Sequence, residues 1–427
     1  ADLELPIKRL NREPTEMELC AALFRCCDPK WWRRQIRKRQ DHILEEVCIE
    51  IGLVNKSKGI YVSDYSLRRK REQWGRNEAL LSELEAVNDL GEVFSLLDVA
   101  QRGISNLANR RNELMTRIDG FDKIALKQGD VGLFITLTAP SKYHAFHAKP
   151  CRPNQNYKGA TPRDTQNYLN TVWKRTRAAL HRLDIRPYGF RVVEPHHDGT
   201  PHWHLLLFVG PDKAKNLIAT LQHYALEEDG NERGAANQRL KIEEIDRSKG
   251  SAAAYIAKYI SKNIDGHGLE TDLYMRDAAS SALRIRAWAS NWGIRQFQQI
   301  GGPSVTVWRE CRRRRDDEIN AEISSEHLQE IFRAADEGNW EEFVGLSGGP
   351  TCERKRQPLR AFHVLKDQLN QFGEAVKQLK GVIYQSSEII KTRIRTWAIQ
   401  SRPKSLDTRQ GFDSSGGANA PPLEFCQ

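Results

Sequence analysis

Between Val131 and Ile264 the apolar pattern switches repeatedly between a two-residue and a helical period, and the order of those switches restricts the fold more than any other feature. "VGLFITLTAP" (Val131 to Pro140) alternates and is rich in β-formers, so it reads as a strand. "TPRDTQNYLNTVWKRTRAALHRLD" opens with a capping Thr and a Pro in its first turn, and reads as a helix. "YGFRVVE" and "HWHLLLFV" read as strands joined by "PHHDGTP", a turn built around Asp198-Gly199. "KNLIATLQHYAL" reads as a helix and "QRLKIEEI" as a strand; "GSAAAYIAKYISKNI", favoured by its alanines, reads as a helix appended to them. The order β-α-β-β-α-β is the split βαβ pattern, an antiparallel sheet with helices on one face.

The flanks have a different texture. "PTEMELCAALFRCCDPKWWRRQIRKRQDHILEEVCIEIGLV" and the stretch from Asn77 to Gly129 space their apolar residues by three and four, so residues 1–128 read as a helical, basic region. Gly129-Asp130 ends it. "SVTVW" (Ser304 to Trp308) reads as a strand. Residues 311–400 read as helical and charged, including "HLQEIFRAADEGNWEEFVGL" and "LKDQLNQFGEAVKQLKGVIYQ". Residues 401–427, rich in Ser, Gly and Pro, read as a disordered tail. The fold class expected is therefore α+β: a central antiparallel sheet with a ferredoxin/RRM-like core at 129–310, flanked by helical N- and C-terminal regions.

Charge points to a partner. Lysine and arginine total 66 against 56 acidic residues, and the excess is clustered. "KWWRRQIRKR" (Lys30 to Arg39), "SLRRKREQWGR" (Ser66 to Arg76) and "CRRRR" (Cys311 to Arg315) suit a phosphate backbone, the first two with tryptophans for stacking bases. The alternative for any one cluster is a solvated helix face. The longest apolar runs, such as Leu205 to Val209, are too short to cross a bilayer. "ADLELPIKRL" has no secretory pattern and no initiator Met, as expected of a fragment acting in the cytoplasm. Eight cysteines without C-x-x-C spacing read as free thiols; Cys20, Cys26, Cys27 and Cys48 match no zinc-finger spacing.

Two short stretches carry chemistry. A strand points alternate residues to one face, so His202 and His204 point one way and Trp203 the other. Glu194 ends the preceding strand, across the turn, and is the expected third ligand of a divalent cation. His196 and His197, in the turn, are rival ligands on a less rigid mount. In "AYIAKYISK" (Ala254 to Lys262), Tyr255 and Tyr259 are four apart on one helix face, and Lys258 and Lys262 follow them by three residues each. A cation nearby makes a phenol a usable nucleophile. The bland alternatives are a surface histidine pair and two packing tyrosines.

Taken in order, "FITLTAP", "RVVEPHHDGTPHWHLLLF" and "AYIAKYISK" resemble the three motifs of the HUH endonucleases. The doubled tyrosine is similar to the rolling-circle replication initiators, most closely the phage replication gene A proteins, as is "AWASNWGIRQFQQIGGPSVTVWRE". The resemblance covers about residues 130 to 310, and the cationic N-terminal region more weakly; the chain is shorter than a full phage initiator. It implies a nuclease domain at 129–310 that nicks single-stranded DNA at a phage or plasmid origin. The implied metal ligands are His202, His204 and Glu194, with Mg²⁺ or Mn²⁺ as the cofactor. Tyr255 or Tyr259 would attack, leaving a 5′-phosphotyrosine and a free 3′-OH, and the second tyrosine would serve rejoining of the displaced strand. Lys258 and Lys262 would stabilise phosphate charge or lower a phenol pKa, with Arg191 and Thr138 as further lining residues. A bacterial host's replicative helicase is the partner such an initiator would meet. The rival readings are an RRM-like single-strand binder and a water-using metal hydrolase; trapping a covalent protein–DNA adduct separates them.

Overall fold

The computed structural model describes residues 13–272, 274–313, 323 and 325–403. Helices α1 (Glu16–Cys26), α2 (Pro29–Glu50) and α3 (Asp64–Ser82) come first. Thr15 and Glu18 close α1 with a reciprocal capping box, and Asp28 with Pro29 starts α2. Strands β1 (Leu84–Asn88) and β2 (Val93–Ser95) follow, then α4 (Leu96–Arg102) and α5 (Leu107–Gln128). Gly129, at φ +70°, ends α5 in the left-handed conformation that glycine adopts without strain.

The middle of the chain runs β3 (Val131–Leu137), α6 (Pro162–Arg182), β4 (Tyr188–Pro195), β5 (Pro201–Val209), α7 (Pro211–Leu226), the short α8 (Ala235–Gln238), β6 (Leu240–Glu244) and α9 (Ala252–Ile264). α10 (Ala278–Trp292), β7 (Phe297–Ile300) and α11 (Val305–Cys311) complete it. Five strands form one sheet in the order β6-β3-β5-β4-β7, antiparallel at every pairing.

Helices cover both faces of this sheet, not one. On one side Phe190, Leu206 and Phe208 pack with Ile118 and Phe121 of α5 and with Ile256 and Ile260 of α9. On the other, Trp203, Leu205 and Leu207 pack with Leu169 and Trp173 of α6, Leu217 of α7 and Trp288 of α10. Every residue of β4 and β5 is buried, which is why "HLLLFV" reads as a continuous apolar run rather than an alternating one.

The flanks depart further from the helical reading. β1 and β2 interrupt the N-terminal helices, and β1 also pairs with a strand from the far end of the chain, β11 (Trp397–Ser401). After α12 (Glu326–Asp336) and α13 (Trp340–Leu346), the C-terminal region is stranded: β8 (Leu359–Leu365), β9 (Lys377–Tyr384) and β10 (Glu388–Lys391) form a sheet of their own. Leu365, Leu369, Phe372, Val376 and Leu379 mimic a helical period by chance. Asn370 breaks it: its Oδ1 accepts from the N–H groups of Phe372 (2.8 Å) and Glu374 (3.0 Å), and Gly373 takes φ +76° to turn the chain. "SVTVW" is the opposite case. Its β-branched residues start helix α11, because Val307, Trp308 and Cys311 bury one helical face in the core. The tail read as disordered lies, from residue 404 onward, outside the described residues.

A candidate metal centre under the tyrosine helix

The β4–β5 hairpin sets the site. His196 N–H donates to the Thr200 carbonyl at 2.7 Å, Gly199 N–H to the His196 carbonyl at 2.9 Å, and Thr200 N–H to Asp198 Oδ1 at 3.1 Å. Gly199 sits at φ +83°, and a Cβ there would meet the Tyr61 carbonyl oxygen at 3.1 Å. The register this turn fixes puts Glu194 opposite His202 and Val192 opposite His204. Glu194, His202 and His204 therefore share the sheet face that α9 covers, while Trp203 points to the other face and donates its Nε1–H to Gln166 Oε1.

The two Nε2 atoms are 3.0 Å apart, and Glu194 Oε2 lies 4.0 Å from that of His202 and 3.7 Å from that of His204. These three buried groups each offer a ligand atom within 4.8 Å of the others, and they are the one such group among the described residues. Burial pushes the His204 imidazole down to about 4 against the opposing pull of Glu194, and burial with the neighbouring His196 pushes His202 well below its ordinary value. Both rings are neutral at neutral pH, so their nitrogen lone pairs are free to bind a cation. Two imidazoles and one carboxylate at this spacing fit a divalent metal with open positions.

The supporting residues come from β3, α9 and the segment just before β7. Thr136 Oγ1 lies 3.1 Å from His204 Nδ1, on β3 directly opposite His204. Lys262 Nζ donates to Glu194 Oε2 at 2.8 Å, and the Asn263 amide donates to Glu194 Oε1. The same Asn263 amide group donates to the Tyr259 carbonyl at 2.6 Å, and Asn263 Oδ1 accepts from Gln296 Nε2 at 3.1 Å. Asn263 thus ties the tyrosine helix to the carboxylate and leaves Glu194 Oε2 facing the histidines.

Tyr259 packs its ring 4.1 Å from that of His204 and 5.2 Å from that of Phe134. Burial, with the charges of Glu194 and Glu243, pushes its phenol up to about 12. Tyr255, one turn earlier, is half-buried against the same core. Lys258 is exposed, 5.4 Å from the Tyr259 ring.

Residues 2–267 match the family model described as bacteriophage replication gene A protein. The chain belongs to that family. It is 42% identical over 398 residues to the "Replication gene A protein" of Escherichia phage 186, a match covering 90% of this chain and 56% of that protein. It is 41% identical over 402 residues to the "Probable replication protein P12" of Pseudoalteromonas phage PM2, covering 92% of this chain and 62% of that one. A "Probable replication endonuclease from prophage-like region" of Salmonella paratyphi A is 33% identical over 444 residues, covering 99% of this chain and 55% of the relative. The chain thus spans about half to three-fifths of the length of these curated relatives. No solved structure gives a significant match.

Other residues expected around the site of this gene A family chain stand elsewhere or take a different part in it. Arg191 is on the opposite sheet face, its guanidinium 4.1 Å over the Trp203 ring. Thr138 Oγ1 donates to the Gln238 carbonyl at 2.7 Å, on the β6 side. Lys262 holds Glu194 rather than standing free for phosphate. His196 stacks on His202 at 4.0 Å, but neither it nor His197 joins the three-residue group. Sequence reasoning missed Thr136, Asn263 and Gln296. Thr136 had a readable signal, since it lies on the first strand with the parity of Phe134, whereas Asn263 and Gln296 meet only through the tertiary fold.

The buried histidines give a pH prediction. His196 is pushed down to about 3, chiefly by burial and then by His144, and His204 to about 4. An unfolded histidine takes a proton near pH 6.5. Between that pH and about 4 the unfolded chain binds protons that the folded chain refuses, so stability is lost as pH falls through this window. For His204 alone the loss reaches about 3 kcal/mol. Melting followed by circular dichroism in EDTA should show a transition that falls from pH 7 to pH 4.5. His204→Gln should make the decline shallower; equal slopes for the two chains would contradict the assignment.

Proposed function

We propose that this chain is the nicking core of a phage-type replication initiator, cutting single-stranded DNA at an origin by tyrosine transesterification. The observation that carries this reading is the convergence of Glu194, His202 and His204 beneath Tyr259. The sheet order β6-β3-β5-β4-β7 supports the HUH, ferredoxin-like reading of the core, since its first four strands follow the split βαβ arrangement. Relatives named replication endonuclease support DNA as substrate.

The His202 and His204 imidazoles and the Glu194 carboxylate would hold a divalent cation, Mg²⁺ or Mn²⁺, which would supply positive charge to the scissile phosphate. Tyr259 Oη attacks phosphorus; the P–Oη bond forms as the P–O3′ bond breaks. The phenol gives up its proton and the departing 3′-oxygen takes one, leaving a free 3′-OH and a 5′-phosphotyrosine. A phosphodiester is exchanged for a phosphodiester, so rejoining needs no nucleotide cofactor. Tyr255, on the same helix face, provides the second attack that closes a displaced strand while Tyr259 still holds DNA. Lys258, exposed beside the phenol, meets phosphate charge, and Lys262 keeps Glu194 in place. Such an initiator works in the bacterial cytoplasm beside the host's replicative helicase; among the described residues no helix is long and apolar enough to cross a membrane.

Incubation with single-stranded phage-origin DNA and Mn²⁺, read on denaturing gels, should show a protein band shifted by the attached strand. Cutting without any attached strand would favour a water-using hydrolase. Asn263→Ala and Glu194→Ala should each raise the metal concentration giving half-maximal cutting by about 10- to 100-fold, the range for groups that bind or orient a metal ligand. An unchanged metal titration for Glu194→Ala would transfer the third ligand to His196 or His197.

A further inference from the structure

A cavity of about 420 Å³ opens at the C-terminal end of the tyrosine helix, where α9 meets α3, α5 and α10. Its wall includes Arg71 of α3 and Arg286 of α10, beside Ile264 and Asp265 at the end of α9. Two acids line it, and each already has a hydrogen-bonding partner. Asp265 pairs with Arg111, and Asp277 accepts the Ser280 N–H at 2.7 Å as the cap of α10. Arg71 and Arg286 have no ion-pair partner among the described residues.

Arg286 is half-buried, with its guanidinium 4.8 Å over the Trp74 ring. Burial, then the neighbouring Arg110, lowers its proton affinity against the pull of Asp265. A cation held partly out of water without a matched anion is stabilised by any anion that enters. Arg71 is exposed, and α3 continues the basic lip through exposed Arg68 and Arg76. Ile264 follows Tyr259 by five residues, roughly 7–8 Å along the helix axis, so the cavity lies at the end of the helix that carries the attacking phenol.

We infer that this cavity holds a nucleotide of the strand being cut, its phosphate between Arg71 and Arg286 and its sugar or base against Ile264 and Leu283. The inference rests on the nicking reading for its substrate. The recess is open to solvent and of single-nucleotide size, which suits a splayed single strand rather than a duplex. A forked guanidinium grips a phosphate with two hydrogen bonds, and its plane also accepts a base. The cavity would hold the strand on one side of the scissile phosphate and so set which bond meets Tyr259.

The test is fluorescence anisotropy of a fluorescein-labelled oligothymidylate with the whole chain, in EDTA and in a Tyr255→Phe/Tyr259→Phe background so that nothing is cut. Arg71→Ala/Arg286→Ala should bind on the order of tenfold more weakly, and its log–log salt slope should be shallower by about 0.7, the share of the one phosphate the two arginines hold. Arg71→Glu, at an exposed position, should weaken binding as much and decides the matter should Arg286→Ala fail to fold. Arg286→Lys should bind between the two. Unchanged affinity and slope in Arg71→Glu would overturn the inference. Absence of a covalent adduct in the parent chain would instead sink the nicking reading, because this binding measurement needs no cutting.

Discussion

The Tyr255→Phe/Tyr259→Phe double variant is expected to form no covalent adduct with single-stranded DNA and to lose cutting by about 10⁴-fold or more, the scale expected when a nucleophile is removed. Phenylalanine keeps the ring against His204 and Phe134, so the core is retained and only the attacking oxygen goes. The single variants divide. Tyr259 lies against the candidate metal centre, so Tyr259→Phe should slow the first cut most, with residual cutting through Tyr255. Tyr255→Phe should cut a short oligonucleotide nearly normally but should not release closed circles. Denaturing gels with a 5′-labelled and a 3′-labelled oligonucleotide read both steps. An adduct of undiminished yield from the double variant would place the nucleophile elsewhere.

His202→Ala/His204→Ala should abolish metal-dependent cutting, by about 10³-fold or more, because both proposed nitrogen ligands are removed together. Affinity for single-stranded DNA in EDTA should change little, since exposed cations such as Arg33, Arg37 and Arg71 are available for the phosphate contacts. Mn²⁺ binding, followed by electron paramagnetic resonance, should be lost in parallel. Full cutting by this variant with EDTA present would exclude the histidine pair from the reaction.

How much of this was legible in the sequence depends on how local each signal was. The pairing of His202 with His204 needs only strand parity, and Glu194 joins them through a five-residue turn whose Asp198-Gly199 is readable. Tyr259 and Lys262 are neighbours on one helix, but that the lysine would be spent on Glu194 rather than on phosphate depends on how α9 docks on the sheet. Asn263 and Gln296 meet across that docked interface and leave no local trace. The same distinction governs the fold. The element order through the central sheet follows local periods, whereas β11 pairs with β1 from the opposite end of the chain. The second helical layer had a signal, the uninterrupted apolar run of β5, that an assumed one-sided sheet overlooked. The C-terminal strands were hidden by a chance helical spacing that the Asn370 and Gly373 turn overrides.

The two tyrosines can be told apart by digestion. Trypsin cuts after Lys249, Lys258 and Lys262, so Tyr255 falls in "GSAAAYIAK" and Tyr259 in "YISK". The chain is incubated with a single-stranded origin oligonucleotide and Mn²⁺, then denatured, digested with nuclease and trypsin, and analysed by mass spectrometry. The account predicts a nucleotide joined through its 5′-phosphate to "YISK", with a smaller amount on "GSAAAYIAK". A nucleotide on neither peptide, or one joined through a 3′-phosphate, would contradict it.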